Sequence, residues 1–95
     1  DIDTKIEILL QMYANLDQHP GMKTQSLQLL NLLQATHPNE AKTFAIYGEF
    51  MSRFNELSLA QEKYTKAVSL DSSKFAVWSQ LLIIEEELHQ TDNLL

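Results

Sequence analysis

Three histidines, a run of three glutamates and one tryptophan are the side chains of this chain best suited to chemistry. Histidine can ligate a metal or carry a proton near neutral pH. His19, His37 and His89 are spread along the chain, each on a turn or a helix end. A helical metal site needs two ligands three or four residues apart on one face, and no pair of these has that spacing. They read as solvated turn residues. Glu85-Glu86-Glu87 could hold a cation or a basic partner. Consecutive residues on a helix do not share a face, so the run reads as a solvated surface. Trp78 could offer a ring for stacking, but it falls within an apolar pattern and reads as core. Serines and threonines lack a nearby His–acid arrangement of the kind that activates a nucleophile. With only Gly21 and Gly48, the chain has no glycine-rich phosphate loop, and with no cysteine it has neither disulfides nor thiolate ligands. No catalytic residue, metal or cofactor is expected, and the chain reads as non-enzymatic.

The elements that would carry any other function are helices. Ninety-five residues with 44% hydrophobic content suit a single globular domain spanning 1–95. A formal charge of −6 argues against nucleic acid and against an anionic membrane surface, since both need a basic patch. No apolar run approaches the length of a membrane span, so no membrane insertion is expected, and no signal peptide is visible. The chain starts at Asp1 and ends inside an apolar pattern, and so reads as a piece of a longer protein.

Five helices are expected, over about 3–18, 22–36, 39–54, 57–70 and 74–89, with boundaries good to a few residues. Ile6, Leu9, Leu10, Tyr13, Ala14 and Leu16 form the apolar side of the first. Asp1 and Asp3 suit its positive end. Gln18-His19-Pro20-Gly21 reads as a turn, with glycine supplying a permissive backbone. Leu27, Leu29, Leu30, Leu32 and Leu33 are too dense for one narrow stripe, which points to a second helix covered on two sides. Asn39 and Ser73 are the expected N-caps of the third and fifth helices. Asn55 closes the third, because asparagine tolerates left-handed geometry. The fifth carries Phe75, Trp78, Leu81, Leu82, Ile83, Ile84 and Leu88, and Thr91 to Leu95 reads as the start of a sixth.

The stretch from Pro38 to Lys74 is one complete pair of helices. Gly48, Ala60 and Ala67 remove bulk where two backbones approach, and Phe44, Tyr47 and Tyr64 fill the space beside them. The pattern recurs at a shift of 34. Leu10, Phe44 and Trp78 share one register, as do Tyr13, Tyr47 and Leu81; Ala14 matches Gly48, Ser26 matches Ala60, Leu30 matches Tyr64 and Gly21 matches Asn55. A fixed period in the range of ~20–50 residues marks a helical solenoid.

With Phe44, Tyr47, Gly48, Ala60, Tyr64, Ala67 and the Leu70-Asp71 ending, the chain resembles the tetratricopeptide repeat family. Tyr47 stands for the family's Leu, Met51 for its first-helix aromatic and Ser72 for its Pro. Leu82 departs from the expected Gly, and Asp17 and Glu85 from an expected aromatic. The resemblance implies an all-α right-handed superhelix of about two and a half repeats, in units near 5–38, 39–72 and 73–95. It also implies a concave groove lined by the first helix of each repeat. The groove positions fall on Gln11, Asn15 and Gln18, on Lys42, Ala45, Glu49 and Ser52, and on Ser79, Ile83 and Glu86. The family's chaperone-binding members clamp a peptide carboxylate with several Lys, Arg and Asn. Only Asn15 and Lys42 are of those types here, so no such clamp is expected. The implied function is a scaffold that binds a peptide or protein partner. The alternative is a spacer within a longer array whose site lies elsewhere. By their general look the repeats resemble those of bacterial exported or periplasmic proteins. The apolar surplus of the last helix leads to a further expectation, a weak homo-oligomer through the face near residues 81–95, opposed by Glu85, Glu86, Glu87 and Asp92.

Overall fold

The computed structural model describes the backbone of residues 1–94 and the side chains of residues 1–90. All its regular structure is helical: α1 (Ile2–Ala14), α2 (Met22–Thr36), α3 (Ala41–Arg53), α4 (Leu57–Leu70) and α5 (Phe75–Leu94). The molecule measures 40 × 32 × 20 Å, and 20 Å is about two helix diameters.

The α3–α4 hairpin is the best-packed unit, and the alternation of small and large residues explains it. The Tyr64 ring lies directly on the Gly48 backbone, where a Cβ would stand 2.8 Å from two ring carbons. Ala60 and Ala67 are buried, and Phe44 and Tyr47 are buried beside them. Asn55 adopts φ 61°. Its N–H donates to the Ser52 carbonyl at 3.1 Å, and the Glu56 N–H reaches the Met51 carbonyl at 2.8 Å. This pair of bonds satisfies the end of α3 and turns the chain back.

The first pair docks onto this unit. Tyr13 meets Phe50 edge-on, with centroids 5.3 Å apart. The Tyr47 hydroxyl donates to Asn31 Oδ1 at 2.7 Å, and the Thr43 hydroxyl to the His37 carbonyl at 2.9 Å. Leu9, Leu30, Leu33, Phe50, Met51 and Tyr64 form one core, to which α5 adds Leu81 and Ile84. Each such side chain, fully buried, contributes about 1.5–3 kcal/mol.

Several expectations change. α1 stops at Ala14, not near residue 18: the Asn15 side chain donates to the Gln11 carbonyl at 2.8 Å and its N–H to the Met12 carbonyl, a local closure that competes with helix. Asp1, by contrast, does cap α1, accepting from the Asp3 N–H. Gly21 has φ −67°, ordinary right-handed geometry that uses none of glycine's freedom, so it is not equivalent to Asn55. Glu40, not Asn39, precedes α3, and it caps without a side-chain bond. Ser73 is held by Asp71, whose carboxylate accepts from both its N–H and its hydroxyl, so it does not cap α5. α2 meets both α1 and α3, burying Leu30 and Leu33 and partly burying Leu27 and Leu29, while Leu32 stays exposed. Trp78 is 40% exposed instead of core. Residues 91–94 continue α5 and do not open a sixth helix; Leu95 lies outside the described residues.

Candidate binding surface

α1 and α3 lie side by side and run in the same direction. Asp3 pairs with Lys42 at 3.0 Å near their first turns, and Asp17, just past α1, pairs with Arg53 at the end of α3 at 2.8 Å. Between them is a cleft of about 330 Å³ walled by Ile6, Leu10, Tyr13 and Ile46, with Lys42, Ala45 and Glu49 on its α3 side. On the other flank of α3 a second cleft of about 520 Å³ opens toward the end of α4 and the start of α5. Ala41, Ala45, Ala67, Leu70 and Val77 make its walls; Lys42, Asp71 and Lys74 stand among its polar residues. Lys42 and Ala45 border both clefts, so α3 forms a ridge with an apolar hollow on each side.

Two of the charged groups beside the ridge are engaged, Lys42 by Asp3 and Asp71 by Ser73. The Asp3 carboxylate, first as a hydrogen-bond acceptor and then as a charge, raises the Lys42 ammonium above its ordinary value. The Ser73 hydroxyl and then its N–H hold Asp71 below the usual carboxylate range. Behind the ridge, burial pushes the Tyr47 phenol up. Burial, and secondarily the Glu49 carboxylate, does the same to Tyr64. The Tyr64 hydroxyl is buried without a hydrogen-bond partner.

Of the groove residues expected from sequence, Lys42, Ala45 and Glu49 are brought together. Gln11 is exposed on α1, while Asn15 caps that helix and Gln18 lies in the following turn, beside a shallow depression with His19 and Gln25. Ser52 and Ser79 are half-buried, and Ile83 is 50% exposed. Glu86 faces a separate depression between α4 and α5, with Ser58, Gln61 and His89. Sequence reasoning missed Leu10, Ile46, Leu70 and Val77 as cleft walls. The sequence places Leu10 on an apolar helix face and does not single out Ile46 or Val77; the gap that exposes Leu10 depends on how far α1 stands from α3, which no residue pattern reports.

Among the described residues, no three His, Asp or Glu side chains gather where they could hold a metal ion. No described helix is long and apolar enough to cross a membrane. Compared with known proteins, the chain matches no family model, no curated protein and no solved structure.

Proposed function

We propose that the chain is a tetratricopeptide-like repeat scaffold, a right-handed superhelix without catalytic activity, that holds a peptide segment of a protein partner across α3. The observation that carries this reading is the pair of apolar clefts flanking α3, which share Lys42 and Ala45. The parallel run of α1 and α3, offset by about one repeat, supports the superhelix. Neighbouring helix axes lie about 8–10 Å apart. An extended peptide advances about 3.3 Å per residue. Two apolar side chains some three residues apart would therefore fill both clefts, with the small Ala45 letting the backbone cross the ridge. Lys42 is engaged by Asp3, which supports an apolar rather than a carboxylate-clamping mode.

Display selection of random 12-residue peptides against the protein tests this. Selected peptides should carry paired apolar residues at that spacing and lose at least tenfold affinity to Ala45→Arg, while Thr65→Arg on α4 leaves them unaffected. Equal effects of the two substitutions, or loss with Thr65→Arg alone, would contradict the reading.

A further inference from the structure

On the ridge of α3, Glu49 is a half-buried acid at the edge of the cleft walled by Ile6, Leu10, Tyr13 and Ile46. Moving a carboxylate out of water is costly unless a cation or a donor meets it. Both cations of α3 are engaged elsewhere. Lys42 pairs with Asp3. Arg53 stands four residues after Glu49, a spacing at which a helix pairs Glu with Arg, yet its guanidinium pairs with Asp17 and lies 5.0 Å from the centre of the Tyr13 ring. Among the described residues Glu49 forms no ion pair. The Tyr64 hydroxyl, buried without a hydrogen-bond partner, lies within the field of the same carboxylate. A donor brought to this corner from the cleft meets two groups able to accept, a carboxylate and a phenol.

The surroundings say what kind of donor fits. A metal ion does not, because no three His, Asp or Glu side chains gather among the described residues. The walls beside Glu49 are apolar, so the fitting group is a cation on an apolar stem. Lys and Arg are built this way: their methylenes lie along apolar surface while the charged head stays with polar groups. Glu49 stands one turn past Ala45, about 6 Å along α3. A lysine or arginine side chain rooted on a backbone that crosses the ridge at Ala45 covers that distance. The cleft on the α5 side sets no such requirement, since Glu40 and Asp71 stand there together with Lys42 and Lys74.

We propose that Glu49 selects a basic residue in the partner peptide: a Lys or Arg next to the apolar residue that fills the α1–α3 cleft, with its head group paired to the Glu49 carboxylate. This rests on the peptide-binding reading above and adds to it the charge of the peptide and the end that bears it. Because the second cleft carries both signs of charge, the basic residue belongs at the α1 end of the apolar pair. The pairing is the reverse of a carboxylate clamp: the protein supplies the acid and the peptide the cation.

The random-peptide library is selected in parallel against the unaltered protein, Glu49→Gln and Glu49→Lys. Peptides taken by the unaltered protein should show Lys or Arg enriched over the starting library on one flank of the apolar pair. Glu49→Gln should keep the pair and lose the enrichment, and Glu49→Lys should replace it with Asp or Glu. In one peptide selected by the unaltered protein, norleucine in place of the basic residue should weaken binding about tenfold by fluorescence anisotropy. The same exchange should leave binding to Glu49→Gln unchanged. The melting temperature of Glu49→Gln should stay the same or rise, because the substitution removes a half-buried charge that has no cation; a fall would assign Glu49 to holding the fold and overturn the proposal. An apolar pair with no basic residue beside it would overturn the proposal and leave the peptide-binding reading standing. Basic residues lost with Glu49→Gln but selected without any apolar pair would sink the two-cleft reading and keep the Glu49 contact. Failure to select any peptide would sink both.

Discussion

Gly48→Ala tests the contact on which the central hairpin rests. The added Cβ would stand 2.8 Å from Cδ1 and Cε1 of Tyr64 and 3.0 Å from its Cγ. Carbon atoms in contact prefer about 3.5–4.0 Å, so the ring or the helix must give by roughly 0.7–1.2 Å. Tyr64 is 1% exposed and enclosed on every side, so it has nowhere free to move. Overpacking of this kind costs about 1–3 kcal/mol, whereas replacing a mid-helix glycine with alanine returns about 1 kcal/mol of helix propensity. The net expectation is a loss of about 1 kcal/mol, or roughly 4–8 °C in melting temperature for a domain of this size. The decisive assay is a double-mutant cycle by urea unfolding. In a Tyr64→Leu background the ring is gone, and Gly48→Ala should become neutral or stabilising, giving a coupling of about 1–3 kcal/mol. Gly21→Ala serves as control: nothing lies within 4 Å of its Cβ position and φ is −67°, so no steric loss is expected, and the entropic gain of about 0.4–1 kcal/mol is offset by the poorer N-cap of α2. If Gly48→Ala raised the melting temperature, or changed stability equally with and without the Tyr64 ring, the packing argument would be refuted.

Ser26→Ala should stabilise the protein by about 1 kcal/mol in a urea midpoint measurement. The Ser26 hydroxyl is fully buried with no hydrogen-bond partner, and removing such a group relieves its desolvation penalty. Asp71 titrates below its ordinary value in the folded state because it accepts two bonds from Ser73. The unfolded chain therefore binds the proton more readily, and the stability from this contact is present above the ordinary aspartate value and lost as pH falls through the lowered one. Carboxyl NMR titration should show the Asp71 value rising when Ser73→Ala removes the hydroxyl donor; no change would contradict the assignment. A peptide ending in an acidic chaperone-type tail should bind no better than its scrambled version by calorimetry, since Lys42 is engaged by Asp3; specific binding lost in Lys42→Ala would refute this.

Where sequence and structure agree, a single local cause decides the outcome. Helices α2 and α4 begin and end where periodicity places them, and Asn55 takes the left-handed geometry that closes α3. The small residues Gly48, Ala60 and Ala67 lie at the helix contact they imply. Disagreement arises where several local choices compete or where a distant neighbour decides. Asn15 could have continued α1, but its side chain reaches back to the Gln11 carbonyl and ends it. Leu10, Phe44 and Trp78 occupy the same place in the 34-residue pattern, yet are 56%, 6% and 40% exposed. Only Phe44 has a closely docked helix over it, and the pattern is silent on that. The candidate surface was legible at Lys42, Ala45 and Glu49, which sit on one regular helix. It was not legible at Leu70, Lys74 and Val77, which converge on a cleft from the ends of two others.

The central claim is that the ridge of α3 and its two flanking clefts hold a peptide. Its most direct test is a titration of isotope-labelled protein with a selected peptide, followed through backbone amide resonances. The account predicts saturable shifts concentrated at Ile6, Leu10, Lys42, Ala45, Glu49 and Val77, on three helices at once. Shifts confined to the opposite side, at Gln34, Thr65 and Ser69, with the ridge unmoved, would contradict it.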